Sequence, residues 1–278
     1  MNTQANAVVD TTRDYYDSSD ADNFYFHIWG GEDIHVGIYE TPDEPIRDAS
    51  HRTVLRMLAS LGPITPQTAV LDIGSGYCGS SRVIARQFGC QVTALNLSST
   101  QNVRARELNA KHGLADRIEV IDGSFEDMPF EAASFDVIWC QDSILHSARR
   151  QTVFNEVDRL LKSGGRFIFT DPMQIDGVDP KVLEPVLARI HLPSMGSVTT
   201  YQGYAETLGW KTLAIDSMPE QLTQHYGNVL AELESRSQEL ASHCSADYIT
   251  RMKAGLNHWV TAGKNKALDW GILYFQKP

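Results

Sequence analysis

The sequence predicts an α/β fold with a mainly parallel sheet. Short apolar runs alternate with segments of helical spacing from residue 69 onward, each run ends at a turn residue, and glycines follow several of the predicted helices. Strands that alternate with helices in this way are typical of βαβ units. We expect a single domain, residues 1–278, built around one sheet.

The N-terminal cap, residues 10–62, is predicted from its aromatic content. Residues 1–10 are polar and are expected to be disordered. Residues 11–40 are rich in tyrosine, phenylalanine and tryptophan but have neither a helical nor a strand period, so we expect a short helix and then an aromatic loop. A helix is predicted over residues 45–61, ending at the Gly-Pro pair that follows.

The predicted core, residues 69–171, contains five strands and three helices. Buried apolar runs predict the strands at residues 69–73, 91–97, 118–121, 135–140 and 166–170. Helical spacing predicts helices at residues 80–88, 99–112 and 151–161, the first stopped by Gly89, the second capped by Ser98 or Ser99 and the third stopped by Gly164 and Gly165.

Residues 172–262 are predicted to be late helical insertions that carry one strand. Helices are expected at residues 181–190 and 201–208, a strand at 211–215 and a long helical region at 219–262. The closing segment, residues 268–276, holds a last strand at Trp270–Phe275. Because a helical insertion precedes it, this strand is expected to pair antiparallel.

Composition restricts the classes of partner. The formal net charge of −11 disfavours nucleic acid and anionic membranes, since both require a basic surface. The four cysteines form no CxxC pair and are expected to be free thiols. With no signal peptide and no apolar run of membrane length, we expect a cytoplasmic protein with small-molecule partners. The oligomeric state is left open.

A glycine-rich loop follows the first predicted strand, in the sequence Val70-Leu71-Asp72-Ile73-Gly74-Ser75-Gly76-Tyr77-Cys78-Gly79. Gly74 and Gly76 allow the backbone to turn sharply and approach a ligand, as in Rossmann-like folds. Asp72 would repel a pyrophosphate but can pair with the ammonium of a methionine moiety. This favours a methionine-derived cofactor over a dinucleotide. The alternative is that Asp72 only caps the turn.

Three further strand ends are expected at the same edge of the sheet. Asn96 follows the second strand and can bind ribose hydroxyls, although it can also be a turn residue. An NAD enzyme would have Asp or Glu there. Ser124 and Phe125 follow the third strand and are expected beside an adenine, the alternative for Phe125 being a buried aromatic. The fourth strand leads into a polar segment, residues 141–147.

At these residues the chain resembles class I S-adenosylmethionine (SAM)-dependent methyltransferases. It is more closely similar to the sarcosine/dimethylglycine N-methyltransferases that make glycine betaine. The similarity is carried by the glycine loop, Asn96, the Gly-Ser-Phe loop, the Gln-Asp-x-x-Leu-His-Ser segment, Tyr15-Tyr16-Asp17, residues 24–39, Asp171-Pro172-Met173, residues 191–197, His225-Tyr226 and Asn257-His258-Trp259.

The resemblance implies successive methyl transfer from SAM to sarcosine and dimethylglycine, and leaves open whether glycine is accepted. It implies that Tyr16 and Trp29 close over the methionine end of SAM. The other implied cofactor-binding residues are Asp72, Gly74, Gly76, Asn96, Leu97, Gln101, Ser124, Phe125 and Gln141.

Methylation of an amine requires an unprotonated nitrogen, so a nearby base is expected. His146 is the first candidate, ahead of His27 and His35, and its alternative role is a structural hydrogen bond. Aromatic faces stabilise the cation that forms. Tyr25, Phe26, Trp29 and Tyr201 are predicted to supply that wall, although some of them can instead belong to a hydrophobic lid.

The carboxylate of the acceptor requires an arginine fork or backbone amides. Arg47, Arg52 and Arg189 are the candidates, and Arg52 is the first to test. Met173 is expected to shape the pocket by packing, and no metal is expected. Three alternatives remain open: a methyltransferase for another small amine (glycine, phosphoethanolamine) or a carbon nucleophile, a nicotinamide dehydrogenase, and a SAM-binding sensor or scaffold.

Overall fold

The computed structural model describes residues 3–29, 31–190, 192 and 194–278, with side chains except at residues 3–7, 189 and 190. Its seven strands are β1 Val70–Ile73, β2 Val92–Asn96, β3 Ile118–Asp122, β4 Phe135–Gln141, β5 Leu161–Gln174, β6 Lys211–Ser217 and β7 Leu268–Gln276. They form one sheet in the order β3-β2-β1-β4-β5-β7-β6. Strands β1 to β5 are parallel, and β7 is antiparallel to both β5 and β6. The predicted sheet, with its antiparallel last strand, is confirmed.

The helices are α1 Thr3–Asp17, α2 Ser19–Phe24, α3 Ile46–Ser60, α4 Gly79–Phe88, α5 Ser99–Lys111, α6 Arg150–Leu160, α7 Pro180–Ile190, α8 Val198–Thr207, α9 Pro219–Ser235, α10 Ser237–Leu240 and α11 Ala246–Lys264. A π-helical turn spans Tyr25–Trp29, and a 3-10 turn spans Ile144–His146. No helix in the described part of the chain is long and apolar enough to cross a membrane.

Strand side chains alternate between the two faces of the sheet, so each face has its own apolar core. Val70 and Val137 pack with α3 and α4 on one face, whereas Leu71 and Ile138 pack with α6 and α8 on the other. Ser98 caps α5 by accepting a hydrogen bond from the backbone N–H of Gln101. Gly89 ends α4 in the left-handed region, as its position in the sequence predicts.

The N-terminal segment is more helical than the sequence predicts. Residues 3–10 lie in α1, so the expectation of disorder is wrong for them, and residues 1 and 2 lie outside the described residues. The expected aromatic loop is also wrong at Ser19–Phe24 and Tyr25–Trp29, which form α2 and the π-helical turn. Aromatic side chains here face both a cavity and an apolar core, and two buried faces on one short helix conceal its period.

The late insertions cover the carboxyl ends of the strands. The predicted long helical region, residues 219–262, consists of three helices, α9 to α11, and Ser245 caps the last of them through the N–H of Tyr248. Strand β5 begins at Leu161 rather than at Arg166, because α6 ends before the predicted glycine stop. A third apolar core joins α2, the π-helical turn, α9 and α11, and it holds the cap over the sheet.

Candidate active site

Two adjoining cavities lie at the carboxyl edge of the sheet. The strand-end cavity is lined by the loops after β1, β2, β3 and β4. The cap cavity, with a volume of about 770 Å³, is lined mainly by α1, the π-helical turn and α11. Both cavities are lined by the same set of junction residues, Thr12, Tyr16, Ile34, Asp142 and His146. The junction is where a ligand in one cavity would meet a ligand in the other.

The glycine loop forms the floor of the strand-end cavity. Gly74 and Gly76 have φ angles of +70° and +52°, a region that favours glycine. A side chain at Gly74 would collide with Ser143. The N–H groups of Gly74 and Ser75 both donate to the carbonyl of Leu95, at 2.8 and 3.2 Å, which ties the loop to β2. The loop is therefore held open beside the end of the next strand.

Asp72 lies under this loop in a small acidic niche, which it lines together with Asp33 and Gln141. Its carboxylate accepts a hydrogen bond from the Ser81 hydroxyl at 2.6 Å. Burial raises the pKa of Asp72 to about 7. Because this hydrogen bond offsets little of the cost of burying a charged carboxylate, a cation beside Asp72 is favoured. The niche and the strand-end cavity share Gly74 and Gly76.

Side-chain amides at the ends of β2 and β4 offer hydrogen-bond donors. The Asn96 amide donates to the Gln101 carbonyl oxygen at 3.1 Å. The side-chain oxygen of Gln141 accepts from the Trp139 indole at 3.0 Å and from the Ser80 hydroxyl. The amide nitrogens of Gln101 and Gln141 are buried and have no acceptor among the described residues. Donors left in this state fit a polar ligand in the strand-end cavity.

The structure brings nine of the predicted cofactor-binding residues to the strand-end cavity: Tyr16, Gly74, Gly76, Asn96, Leu97, Gln101, Ser124, Phe125 and Gln141. Asp72 is beneath them in the acidic niche. Trp29 lines the cap cavity but not the strand-end cavity. The structure therefore does not place it against the cofactor side, where the resemblance predicts it.

The cap cavity has an aromatic wall. Its aromatic residues are Tyr15, Tyr16, Tyr25, Trp29, Tyr226, Tyr248 and Trp259. Trp29 is 4% exposed and lies with its ring centre 5.2 Å from those of Tyr25 and His225. Burial lowers the pKa of His225 to about 3. Its Nδ1 accepts from the N–H of Gly37 and its ring is therefore neutral, with the proton on Nε2.

Phe26 and Tyr201 are predicted for this wall, and the structure places both elsewhere. The Phe26 ring lies under the Arg104 guanidinium at 4.3 Å. Tyr201 is fully buried, stacks on Phe154 and donates its hydroxyl to Asp171 at 2.5 Å. Neither residue is among the described residues that line the cap cavity. The predictions for these two residues are wrong, because sequence position alone does not show which side of a helix faces the cavity.

Met173, predicted to shape the pocket by packing, and Arg52, predicted to bind the acceptor, are not among the described residues that line the cap cavity. Met173 is fully buried in the core beneath the sheet, and its neighbour Pro172 lines the cavity instead. Both terminal nitrogens of Arg52 donate to Glu44, at 2.6 and 2.9 Å, and one also donates to the carbonyl of Ile38. Arg52 is therefore a structural residue of the cap.

The positions of the other two arginine candidates do not identify which residue binds the acceptor carboxylate. Arg47 is exposed on α3, and its one ion pair is with Asp48 at 3.5 Å. The side chain of Arg189 lies outside the described residues, as do residues 191 and 193 of the segment that carries the resemblance. Arg47 does not line the cap cavity in the described part of the chain.

Replacing Arg52 with alanine should leave the KM for the acceptor unchanged and lower the melting temperature by about 2–4 °C. The reason is the loss of a partly exposed ion pair and of one hydrogen bond, together worth about 1 kcal/mol. Differential scanning fluorimetry and steady-state kinetics on the same preparation check both parts. A large rise in the KM for the acceptor with an unchanged melting temperature would indicate that Arg52 binds the acceptor after all.

His146 lies at the junction, on the 3-10 turn that follows β4. Its Nε2 is 2.9 Å from the Tyr16 hydroxyl, and the two rings meet edge to face at 5.4 Å. Both residues line both cavities. The arrangement joins an imidazole and a phenol at the point where reacting groups from the two cavities would meet.

Asp142 is a junction residue that the sequence left without a role of its own. Its carboxylate accepts from the backbone N–H of Val36 at 2.6 Å and from the Trp270 indole at 2.8 Å. Burial raises its pKa. Its φ of +49° is unusual for a residue other than glycine. Such backbone strain concentrates at functional sites, and it could not be found from sequence.

The contribution of α11 to the cap cavity was also not predicted from the sequence. Tyr248, Arg251, Gly255, His258 and Trp259 line the cavity from one face of this helix. Their spacing of three, seven, ten and eleven residues from Tyr248 is a helical period. The pattern is visible in the sequence, but only the fold shows that this face covers the sheet edge.

Comparison with known proteins agrees with this geometry. Residues 71–169 match the family model described as "Methyltransferase domain". The sheet order and the loop site at the strand ends are those of a Rossmann-like class I methyltransferase. The chain is therefore an enzyme of the methyltransferase class.

Relatives over the full length narrow the assignment. The sarcosine/dimethylglycine N-methyltransferase of Aphanothece halophytica is 55% identical over 99% of this chain and 100% of its own length. That of Halorhodospira halochloris is 50% identical over 97% and 96%. A crystal structure of a proposed sarcosine dimethylglycine methyltransferase from Galdieria sulphuraria superposes with a TM-score of 0.90, at 45% identity and with coverage of 95% and 98%. The chain belongs to the sarcosine/dimethylglycine N-methyltransferase family.

Proposed function

We propose that this enzyme methylates sarcosine, dimethylglycine or both at nitrogen, with SAM as methyl donor and glycine betaine as the final product. The observation that carries the proposal is the junction, where a glycine-loop cavity opens into an aromatic cavity beside Tyr16, Asp142 and His146. The names of the full-length relatives support the choice of acceptor.

The residues of the strand-end cavity and of the acidic niche beneath it fit a SAM-type ligand. The unpaired amide nitrogens of Gln101 and Gln141 match ribose hydroxyls or a carboxylate, and the buried Asp72 matches an ammonium group. Asn96 can accept and donate at a ribose, and Phe125 can pack on a base. When bound, SAM supplies a methyl group already activated on a sulfonium. The task of the protein is to align the acceptor and exclude water.

The acceptor amine must lose its proton before transfer. An alkylamine with a pKa of about 10.4 is protonated at neutral pH and has no lone pair to donate. The Tyr16–His146 pair supports deprotonation at the junction, since the imidazole can accept a proton from the amine directly or through the Tyr16 hydroxyl. A purely structural role for this hydrogen bond is the alternative.

Transfer converts the amine of dimethylglycine into a permanent cation that donates no hydrogen bond. Each aromatic face that contacts such a cation contributes about 0.5–2 kcal/mol when water is excluded. Tyr25, Trp29 and Trp259 are suited to this because they line the cap cavity and are buried. The carboxylate of Asp142 at the junction adds a negative charge that favours the cation.

Separate incubation of the enzyme and SAM with glycine, sarcosine and dimethylglycine tests the proposal. Mass spectrometry should detect dimethylglycine and then betaine from sarcosine, and betaine from dimethylglycine. Phosphoethanolamine is the informative control, because a second class of small-amine methyltransferase would accept it. Methylation of phosphoethanolamine without methylation of sarcosine or dimethylglycine would refute the proposed acceptor and leave the cofactor assignment intact.

A further inference from the structure

One face of α11 carries a positive charge that the proposed mechanism does not use. Among the described residues that line the cap cavity, Arg251 is the only lysine or arginine. Its side chain is exposed and makes no hydrogen bond or ion pair within the described part of the chain. A zwitterionic acceptor requires a cation for its carboxylate.

Other arginines near the two cavities are already paired. Arg104 is bound to Asp22, and Arg149 donates to Glu126 at 2.6 Å. Arg150 is buried and donates to the carbonyls of Ser147 and Ser194. These contacts leave Arg251 as the described arginine whose guanidinium is available to a ligand of the cap cavity.

Tyrosine hydroxyls in the same cavity provide an independent observation. The Tyr15 hydroxyl is 3.2 Å from that of Tyr248 and 3.4 Å from that of Tyr25. Tyr248 lies three residues before Arg251 on α11, so the two side chains project from the same face of the helix. Hydroxyl donors and a guanidinium that line one cavity can together recognise a carboxylate.

We propose that Arg251 and the hydroxyls of Tyr15, Tyr25 and Tyr248 bind the carboxylate of the acceptor and orient its amine toward the junction. The inference rests on the proposed function, which supplies a carboxylate-bearing acceptor. Arg251 and these three tyrosines line the cap cavity but not the strand-end cavity, whereas Asp142 and His146 line both. The polarity of the cavity thus matches a zwitterion with its amine toward the methyl donor.

The same cavity disfavours a doubly charged acceptor. Asp14 and Asp20 line it as well, and Asp20 accepts hydrogen bonds from the N–H and hydroxyl of Ser245. Because Asp14 and Asp20 leave little positive charge around Arg251, a phosphate monoester dianion would be repelled more strongly than a single carboxylate. Arg251 is therefore a specificity-determining residue for amino acids as acceptors.

The test is calorimetric titration of the S-adenosylhomocysteine-loaded enzyme with dimethylglycine and with N,N-dimethylethanolamine, which has no carboxylate. In Arg251→Gln the Kd of dimethylglycine should rise about tenfold, while that of dimethylethanolamine should not change. The KM of dimethylglycine should rise in parallel with a nearly unchanged kcat, and Arg251→Lys should recover part of the affinity. Arg47→Gln is the matched control and should bind dimethylglycine like the wild type.

Wild-type affinity for dimethylglycine in Arg251→Gln would overturn this inference alone. An equal loss for both amines would also overturn it, because it would indicate a structural role without recognition of the carboxylate. Failure of the wild type to bind either sarcosine or dimethylglycine would overturn the inference together with the proposed function, so the two failures are distinguishable.

Discussion

Replacing His146 with alanine should lower the kcat for dimethylglycine by about 100- to 10,000-fold at pH 7. The variant loses the imidazole whose Nε2 is 2.9 Å from the Tyr16 hydroxyl at the junction of the two cavities. Protonated acceptor would still bind but would rarely have a lone pair. Tyr16→Phe keeps the ring in the aromatic wall and removes only the hydroxyl, so its loss of kcat should be smaller.

The pH profile separates a base from a structural histidine. If His146 accepts the proton, the kcat of His146→Ala should rise about tenfold per pH unit between pH 7 and 9, because solvent then supplies the free amine, whose pKa is about 10. The wild type should level off at lower pH. Steady-state kinetics with saturating SAM measures both curves.

His243→Ala is the matched control. His243 stacks on His27 with ring centres 4.8 Å apart and does not line either cavity as described. Its variant should keep the kcat and pH profile of the wild type. A His146→Ala profile parallel to that of the wild type would assign His146 to positioning and remove it as the base.

The strand ends could be predicted from the sequence because the parallel sheet determines where they lie. Asp72, Gly74, Asn96 and Gln141 each follow a short apolar run, and parallel strands bring their carboxyl ends to one edge. No knowledge of side-chain packing was required. The antiparallel β7 was expected from the helical insertion that precedes it, whereas the order of the strands was not predicted.

The acceptor side could not be predicted in the same way, because it depends on packing between distant segments. Tyr15 and Tyr248 are separated by 233 positions, yet their hydroxyls are 3.2 Å apart. Tyr201 has the right chemistry and lies near the right strand, but its helix turns it into the core against Phe154. Arg52 has a nearer partner in Glu44. Each outcome was decided by tertiary contacts without a local signal.

Replacing Asp72 with asparagine should raise the Kd of S-adenosylhomocysteine by about 100-fold or more at pH 7.5. The change removes a fully buried carboxylate from the acidic niche beneath the glycine loop. If the ammonium group of the ligand pairs with this carboxylate, its loss leaves a buried charge without a partner, which costs about 3–5 kcal/mol. Isothermal titration calorimetry measures the change directly.

Asp136→Asn provides the control for a lost carboxylate. Asp136 lies at the opposite end of β4, where it accepts from the N–H of Ala69 and from Lys162. Removal of this carboxylate should leave the affinity for S-adenosylhomocysteine unchanged. A thermal unfolding curve for each variant distinguishes lost affinity from lost structure.

The pH dependence of the free energy of unfolding provides a further test of the role of Asp72. Burial raises the pKa of Asp72 to about 7, so the free enzyme holds a proton there that the unfolded chain releases near pH 4. The contribution of this proton to stability is present below pH 4 and is lost as the pH rises through 7.

Ligand affinity should change with pH in the opposite direction. Affinity for S-adenosylhomocysteine should increase as Asp72 ionises, and it should fall again only in more alkaline solution, where the α-amino group of the ligand loses its own proton. In Asp72→Asn the rise through pH 7 should disappear while the alkaline fall remains. A variant that keeps the full rise would show that another group binds the ammonium, and Asp72 would then act only on the turn of the glycine loop.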